Sequence, residues 1–431
     1  MRKLIVGLTL AFAFAMNATG QTEKILFKFT GGRDGGNPEG GLIFRGGNLY
    51  GTASTGGSYL SGCGGAGCGT VFELKHTASG WDQIVLYSFT GGTDGGAPSG
   101  SLIFDKAGNL YGTAYEGGDL GGSCPGTPGC GVVFELQSVN GHWVEKVLHS
   151  FLGGTDSANP SSDLVFDRDG NLYGATQGGG GSAYCYGLGC GTVFELSPIG
   201  NSWSYSVLHA FLGARGDGTQ PFISGRLSLD TKGNLYGTTV EGGTHLCDQN
   251  EDGCGTVFEL SHSDSWSEKL YDFSQGAGGN APLASVTLKG GKLFGTAAGG
   301  GIGDGTVFQL SRVNGVVVED VLHMFTHSDG SQPNSDLVSD AAGNFYGTAL
   351  GGGNDGCVAT SPSQGCGVVF KLTPSSGGWT ETTLYSFKND GNDGFWPNGT
   401  LVLDAAGNLY GTTFFTSGSN GQWGTIYEIT P

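Results

Sequence analysis

The sequence predicts an all-β fold, a seven-bladed β-propeller with four antiparallel strands in each blade. The hexapeptide Gly-Asn-Leu-Tyr-Gly-Thr at residues 47–52 returns six more times with small edits, at a period of about sixty residues. Each period holds four short runs of β-branched and aromatic residues, bounded by turn-forming residues. After residue 20 no stretch keeps a helical period. Four short strands repeated seven times are typical of a propeller.

The order of the motifs predicts which strand is innermost. Each period places a proline, a strand such as Leu-Ile-Phe-Asp at residues 102–105, a tight turn, which is Asp-x-x-Gly-Asn in five periods, and then the hexapeptide. This order resembles NHL-type repeats, which implies that the strand after the proline is the inner strand A. The hexapeptide is then strand B, Gly-Thr-Val-Phe-Glu-Leu is strand C, and Leu-Tyr-Ser-Phe is the outer strand D.

The two ends of the repeat region complement each other. Residues 24–29 form a strand of type D, and residues 424–429 form a strand of type C. We therefore expect the N-terminal strand to pair with the C-terminal blade and close the ring, which removes two exposed sheet edges.

The first twenty residues have the pattern of a cleaved secretory signal. Arg2 and Lys3 precede an apolar run, and small residues at 18–20 form a cleavage site before Gln21. The predicted organisation is a signal peptide at 1–20 and a single propeller domain at 21–431. We expect a secreted monomer, extracellular or periplasmic, with no lipid anchor or sorting tail.

The charge restricts the partners. The formal net charge is −19, with 19 basic and 38 acidic residues. An acidic surface repels phosphate backbones and anionic lipid, so we expect neither nucleic-acid binding nor membrane insertion. Neutral or cationic ligands and divalent cations remain open.

The ten cysteines form five local pairs, each in the loop between strands B and C. Structural zinc sites built from cysteine need four convergent ligands and favour two-residue gaps, whereas each of these loops offers two thiols. Disulfides are the prediction in an oxidising compartment. The expected pairs are Cys63–Cys68, Cys124–Cys130, Cys185–Cys190, Cys247–Cys254 and Cys357–Cys366.

The combined motifs resemble a family of tandem-repeat proteins exported by bacteria, the GloVer-type repeats. The resemblance rests on the hexapeptide, the Gly-Thr-Val-Phe-Glu-Leu strand and the Leu-Tyr-Ser-Phe-x-Gly-Gly-x-Asp-Gly segment, and it covers residues 24–429. It implies a secreted or cell-surface repeat protein. The family has no established activity, so it assigns no catalytic residue to this chain.

The long loops B–C and D–A are expected on one face, where binding usually occurs. The D–A loops carry an acidic residue in six of seven repeats, which suits Ca²⁺ or sugar hydroxyls. The competing interpretation is that Asp-Gly serves turn geometry. The candidate acidic residues are Asp34, Asp94, Asp156, Asp217, Asp329 and Asp393.

Aromatic residues that the repeat does not require are better functional candidates. Exposed aromatics beside acidic groups suit carbohydrate stacking or protein contacts, while packing of the loops on each other is the alternative. The main candidates are Tyr184, Tyr186, Phe222, Trp396, Phe415 and Trp423. The same face holds Tyr59, Tyr115, Phe395 and Phe414.

Other polar residues that recur between blades are interpreted as structural. The strand-C glutamates are expected to make structural hydrogen bonds. His149, His209 and His323 take a strand-D position where other blades have tyrosine, which indicates a packing position rather than a ligand set.

The sequence favours a secreted binding or interaction module that uses its loop-rich face for carbohydrate or a surface protein. One alternative is an extracellular polysaccharide hydrolase or lyase with carboxylates at the channel mouth. Another is a structural matrix protein. The sequence has no sialidase-type Asp-box, Gly-x-Ser-x-Gly elbow, His-Glu-x-x-His motif or phosphate loop. Their absence does not exclude a propeller enzyme, whose catalytic residues are scattered among the blades.

Overall fold

The fold is a ring of seven four-stranded antiparallel blades, as predicted. The computed structural model describes residues 22–61, 63–121, 124, 127–213, 217–221, 225–247, 253–274, 276, 278–357, 365–416 and 423–430. The predicted signal peptide at 1–20 lies outside these residues. The described residues contain no helix with the length and apolarity needed to span a bilayer.

The strands follow the predicted order A–B–C–D in every blade. In blade 1 they are Ile43–Arg45, Asn48–Ala53, Thr70–Thr77 and Gly80–Ser88; in blade 2 Ile103–Phe104, Leu110–Ala114, Val132–Val139 and His142–Ser150. In blade 3 they are Val165–Phe166, Leu172–Gly179, Thr192–Ile199 and Ser202–Ala210; in blade 4 Ser228–Leu229, Leu235–Thr239, Thr256–Ser261 and Ser267–Asp272. In blade 5 they are Thr287–Lys289, Lys292–Ala297, Thr306–Val313 and Val316–Met324; in blade 6 Val338–Ser339, Phe345–Gly351, Val368–Ser375 and Gly378–Ser386. Blade 7 has Gly394–Leu403, Leu409–Thr416 and Thr425–Thr430, and its strand D is Thr22–Lys28.

Short extra elements lie in the loops. The extra strands are Ser157–Pro160, Gly218–Thr219, Glu241–Gly242, Gly279–Asn280, Gly299–Gly300 and Ser331–Pro333. Single 3₁₀ turns are Cys63–Gly65, Cys185–Gly187 and His262–Asp264.

The N-terminal strand closes the ring, which confirms the prediction. Thr22–Lys28 pairs antiparallel with Thr425–Thr430, from Thr22 opposite Thr430 to Lys28 opposite Thr425. The outer edge of the last three strands is therefore covered by the other end of the chain.

The glycine of the hexapeptide makes room for side chains of its own sheet. A Cβ atom at Gly51 would lie 2.8 Å from the Phe72 ring and 2.9 Å from Leu42, on the flanking strands of the same blade. This glycine lets the leucine directly before strand A and a strand-C phenylalanine meet above strand B.

The core is divided among the interfaces between blades. At each interface the phenylalanine that follows strand D packs on a strand-C aromatic ring of the next blade, with ring centroids 5.0–5.3 Å apart. The pairs are Phe29–Phe72, Phe89–Phe134, Phe151–Phe194, Phe211–Phe258, Phe273–Phe308, Phe325–Phe370 and Phe387–Tyr427. Aromatic pairs of this geometry contribute about 0.5–1.5 kcal/mol beyond the apolar area that they bury.

All five predicted disulfides are present: Cys63–Cys68, Cys124–Cys130, Cys185–Cys190, Cys247–Cys254 and Cys357–Cys366. Each closes its own B–C loop and also helps to join two blades. The Cys68 carbonyl, for example, accepts a 2.9 Å hydrogen bond from the Ala97 amide of blade 2. The disulfides therefore shape the loops and support the blade interfaces.

Candidate functional site

The innermost strands line a central channel, which confirms the predicted position of strand A. A cavity of about 470 Å³ in this channel is lined by strand-A segments of all seven blades. Each blade contributes one residue to a layer of the channel. In six blades it is the residue before the buried leucine of strand A, and in blade 5 it is the residue before Val286. The seven members of this layer are Gly41, Ser101, Asp163, Arg226, Ser285, Asp336 and Thr400.

Two carboxylates in this layer are buried. Asp163 and Asp336 are 5% and 9% exposed. Asp163 accepts a hydrogen bond from the Ser101 amide at 2.5 Å. Asp336 accepts two, from the Arg226 amide at 3.1 Å and the Ser285 amide at 2.9 Å. Each carboxylate therefore ties the inner strand of its own blade to that of another.

The two carboxylates and Arg226 form one electrostatic group. Burial and, to a lesser extent, the negative charge of Asp163 raise the pKa of Asp336 to about 7, against the opposing effects of the amide hydrogen bonds and Arg226. Burial also raises the pKa of Asp163, again opposed by Arg226. The channel thus holds a coupled acid pair whose charge depends on this arginine.

A larger cavity of about 670 Å³ forms the mouth of the channel on the loop-rich face. Its wall is made by the residues after the strand-A prolines and by the ends of the B strands, so most blades contribute to it. The polar part of the wall includes Glu39, Ser99, Ser161, Asn334, Asn398, Ser54, Glu116 and Gln177. Its aromatic part includes Tyr115, Trp396 and Phe414.

The polar groups of the mouth are partly held in place. The Ser54 hydroxyl donates to the Glu39 carboxylate at 2.9 Å, and the Tyr115 hydroxyl donates to Gln177 Oε1 at 3.2 Å. Burial raises the pKa of Glu39, and the Ser54 hydrogen bond only partly opposes this shift. Burial also raises the pKa of Glu116. The mouth therefore presents two carboxyl groups in a partly desolvated cavity.

Blade 7 supplies an aromatic cluster beside the mouth. The Trp396 ring contacts Phe415 with centroids 5.1 Å apart, and Phe415 contacts Phe395 at 5.3 Å and Phe414 at 4.7 Å. Trp396 and Phe414 line the cavity, whereas Phe415 stands behind them. These four residues of blade 7 are the predicted aromatic residues that the structure brings together.

The other predicted aromatic residues lie elsewhere. Tyr184 is 63% exposed in a disulfide loop away from the mouth. Trp423 packs at the interface that closes the ring, where its carbonyl accepts a 2.8 Å hydrogen bond from the Asn37 amide. Phe222 and the side chain of Tyr186 lie outside the described part of the structure.

The six predicted loop aspartates stand apart from the mouth cavity. Each accepts a hydrogen bond of 2.6–3.0 Å from a backbone amide at the start of its own loop. They are Asp34, Asp94, Asp156, Asp217, Asp329 and Asp393. These contacts shape the turn, and binding by these residues stays a prediction.

The strand-C glutamates make the expected structural hydrogen bonds. The hydroxyl groups of Tyr50, Tyr111 and Tyr173 donate to Glu73, Glu135 and Glu195 at 2.7–2.9 Å. The strand-D histidines do more than pack. His149, His209 and His323 each face a carboxylate of the loop that follows, with nitrogen-to-oxygen distances of 3.3–3.9 Å.

Asp163, Arg226 and Asp336 were not identified from the sequence, although a signal is present. When the blades are aligned on the strand-A proline and leucine, the corresponding position is glycine, serine or threonine in the other four blades. In blade 4 the proline and leucine are six positions apart instead of four, which obscures Arg226. The missed indication was a charged residue at an inner-strand position where the other blades have a small residue.

Comparison with known families agrees with the repeat motifs. A model of the Gloeobacter/Verrucomicrobia repeat matches residues 9–245 and 187–360. The chain belongs to this repeat family. The predicted resemblance is thus confirmed. No curated protein is significantly similar to this chain.

Three solved structures are similar to this member of the repeat family at low identity. A protein described provisionally as a gluconolactonase is 12% identical, with a TM-score of 0.40, covering 95% of this chain and 92% of its own. A luciferin-regenerating enzyme is 12% identical, with a TM-score of 0.41 and 96% of each chain covered. A protein of unknown function from Dyadobacter fermentans is 13% identical, with a TM-score of 0.39, covering 77% of this chain and 94% of its own. No activity is inferred from them.

Proposed function

We propose that this protein is a binding module that takes a neutral, polyhydroxylated ligand, an oligosaccharide, at the mouth of its channel. The observation that carries the proposal is the composition of the 670 Å³ mouth cavity, where Trp396 and Phe414 lie beside carboxylate, amide and hydroxyl groups. Aromatic faces pack on the C–H faces of sugar rings, and the polar groups can exchange hydrogen bonds with sugar hydroxyls. The volume is in the range of about 300–1,000 Å³ of small-molecule sites.

The charge favours a neutral ligand over an acidic one. Glu39 and Glu116 line the cavity, and the whole chain has a net charge of −19. An anionic polymer would meet repulsion at the site and at long range. We therefore expect neutral glycans to bind in preference to uronic-acid polymers.

The five disulfides support a location outside the cytosol. Disulfides persist in oxidising compartments. We infer that the protein is exported, in agreement with the signal-peptide pattern of its sequence. Edman sequencing or mass spectrometry of the exported chain tests this inference, since an N-terminus at Gln21 is expected.

A glycan array, probed with and without Ca²⁺, tests the binding proposal. The Trp396→Ala variant is expected to lose affinity about tenfold or more for any glycan that binds, since central aromatic residues dominate such sites. The substitution suits the backbone: Trp396 has φ 56°, and Ala97 and Ala281 take the same position before proline with φ 51° and 49°.

Tyr184→Ala is the matched control, because it removes an exposed aromatic ring outside the cavity. Equal losses in the two variants would contradict a site at the mouth. Absence of glycan binding in both conditions would exclude the carbohydrate proposal and favour a structural role.

One observation favours a hydrolase as the second candidate. Glu39 and Glu116 line the same cavity, and burial raises the pKa of both. Carboxyl groups with a raised pKa serve as general acids in polysaccharide cleavage. New reducing ends released from a bound neutral polysaccharide would identify the activity. Glu39→Gln should then abolish turnover while binding is kept.

A further inference from the structure

Each interface between blades brings together three equivalent positions, here called an interblade triad. The first is the strand-D tyrosine or histidine of one blade, and the second is the aspartate of its D–A loop. The third lies on strand D of the next blade, opposite the buried strand-C leucine or isoleucine. The triads lie outside the mouth cavity and have no part in the proposed binding function.

Two interblade triads consist of one imidazole and two carboxylates. Between blades 3 and 4 they are His209, Asp217 and Glu268; between blades 5 and 6 they are His323, Asp329 and Glu381. Within each triad one nitrogen or oxygen atom from every side chain lies within 4.8 Å of the others. Among the described residues, these two triads are the groups of at least three histidine, cysteine, aspartate or glutamate side chains that lie close enough to hold one metal ion.

The distances within the triads are longer than those of most hydrogen bonds and fit side chains that share one ion. His209 Nε2 lies 3.9 Å from Asp217 Oδ1 and 3.6 Å from Glu268 Oε1. His323 Nε2 lies 3.3 Å from Asp329 Oδ2. Nitrogen and oxygen ligands about 2.1 Å from one tetrahedral ion would be about 3.4 Å apart, whereas a hydrogen bond would bring them to about 2.7–3.2 Å.

Buried polar atoms in both triads lack a hydrogen-bond partner. His209 Nε2, Glu268 Oε1 and His323 Nε2 are inaccessible to solvent and make no hydrogen bond. In the second triad Asp329 uses Oδ1 for the Thr326 amide at 2.7 Å, which leaves Oδ2 directed at the histidine. Buried polar atoms without partners are costly, and a bound cation would satisfy them.

We propose that these two interblade triads are binding sites for a divalent first-row transition metal, with Zn²⁺ as the best fit. An imidazole nitrogen with two carboxylate oxygens is a zinc donor set, whereas Ca²⁺ and Mg²⁺ take all-oxygen sets. Three protein ligands leave a coordination position for water. Because each site joins two blades, the metal would stabilise the ring.

The remaining five interfaces lack this donor set, so the fold itself does not require it. Between blades 2 and 3, His149 and Asp156 face Tyr205, whose ring stacks on His149. Tyrosine replaces histidine at three interfaces, where Tyr87, Tyr271 and Tyr385 donate to carboxylates at 2.8–3.0 Å. At the interface of blades 7 and 1, Phe27 and Gln83 take the places of histidine and glutamate.

The zinc stoichiometry of the full-length protein, prepared without an affinity tag, tests the proposal. After incubation with ZnCl₂ and gel filtration, elemental analysis should give two bound Zn²⁺ per chain. Glu268→Gln and Glu381→Gln should each leave one, and the double variant none. Thermal denaturation should show a Zn²⁺-dependent rise of Tm in the wild type that is absent from the double variant.

Glu145→Gln is the matched control, since Glu145 has the equivalent position at an interface where Tyr87 replaces histidine. It should keep two equivalents. The chain already carries glutamine at the equivalent Gln83, so these substitutions are compatible with the fold. Fewer than two equivalents in the wild type, or two in the double variant, would overturn the proposal.

Discussion

The indole ring of Trp423 lies against Gly31, in the place where the disulfide Cys63–Cys68 lies against Gly91 at the next interface. A Cβ atom at Gly91 would be 2.6 Å from Cys63 Sγ, and one at Gly31 would overlap the indole ring. Blade 7 has no disulfide among its described residues. An aromatic ring therefore does at the closing interface what a disulfide does between blades 1 and 2.

Trp423→Ala should destabilise the closing interface. We expect a loss of about 2–3 kcal/mol in the free energy of unfolding, below the value for a fully buried tryptophan because the ring is only partly buried. Urea denaturation measures the change. Tyr184→Ala, which removes an exposed ring, should change the free energy by less than about 0.5 kcal/mol. Similar effects of both substitutions would contradict the role given to Trp423.

Deletion of residues 21–30 should cost far more stability than an ordinary terminal truncation. It removes the strand Thr22–Lys28 and exposes the edge formed by Thr425–Thr430. We expect a large fall in Tm and association of the truncated chains through the free edge. A synthetic peptide of residues 21–30 should restore the Tm, because it supplies the missing strand. An unchanged Tm after deletion would show that the strand does not hold the ring closed.

Glu145 should make stability depend on pH. Burial, and then the nearby Asp94 carboxylate, raise the pKa of Glu145 from 4.5 to about 7. The folded state therefore binds more protons than the unfolded state between these values, so the contribution of this group to stability falls as pH rises from about 5 to about 7.

Glu145→Gln should remove that fall, which makes the variant more stable than the wild type at pH 8 but not at pH 5. Calorimetric Tm values at the two pH values measure the effect. Asp82→Asn, at an exposed position of a strand D, should keep the wild-type pH dependence. A parallel response of Glu145→Gln and the wild type would exclude this glutamate as its source.

Arg226 should stabilise the channel mainly when the acid pair is charged. Arg226 lowers the pKa of both Asp163 and Asp336 against the effect of burial. Arg226→Ala should raise both pKa values, so it should destabilise the protein more at pH 8 than at pH 5, by a difference on the order of 1 kcal/mol. Urea denaturation at both pH values measures this difference, and Arg168→Ala on the exposed surface should show none.

The sequence predicted the local elements well because their signals are short-range. The Asp-x-x-Gly-Asn turn is one example: Asp105 Oδ1 accepts hydrogen bonds from the Gly108 and Asn109 amides at 2.6 and 2.8 Å. Such a turn needs only neighbouring residues, so its pattern is visible within single repeats, in five of the seven. The cysteine pairs were equally easy to predict, since each closes a loop of a few residues within one repeat.

The candidate sites were harder to predict because they join residues from different repeats. Asp336 and the Arg226 amide are 110 positions apart in sequence, yet the ring brings them to 3.1 Å. His209 and Glu268 likewise meet only because strand D of one blade faces strand D of the next. The strand-D histidines were therefore assigned to packing, although each faces a carboxylate.

By itself the sequence determined the number of blades, the order of their strands, the disulfides and the closure of the ring. The repeat period, the strand patterns and the turn residues all lie in short stretches of sequence that recur along the chain, so together they support the same prediction of a propeller. Only the tertiary structure decided which side chains meet at the channel, at the mouth and between blades. Those meetings depend on how each blade is rotated against its neighbours, and that rotation follows from packing between sheets, which the pattern within one repeat does not contain.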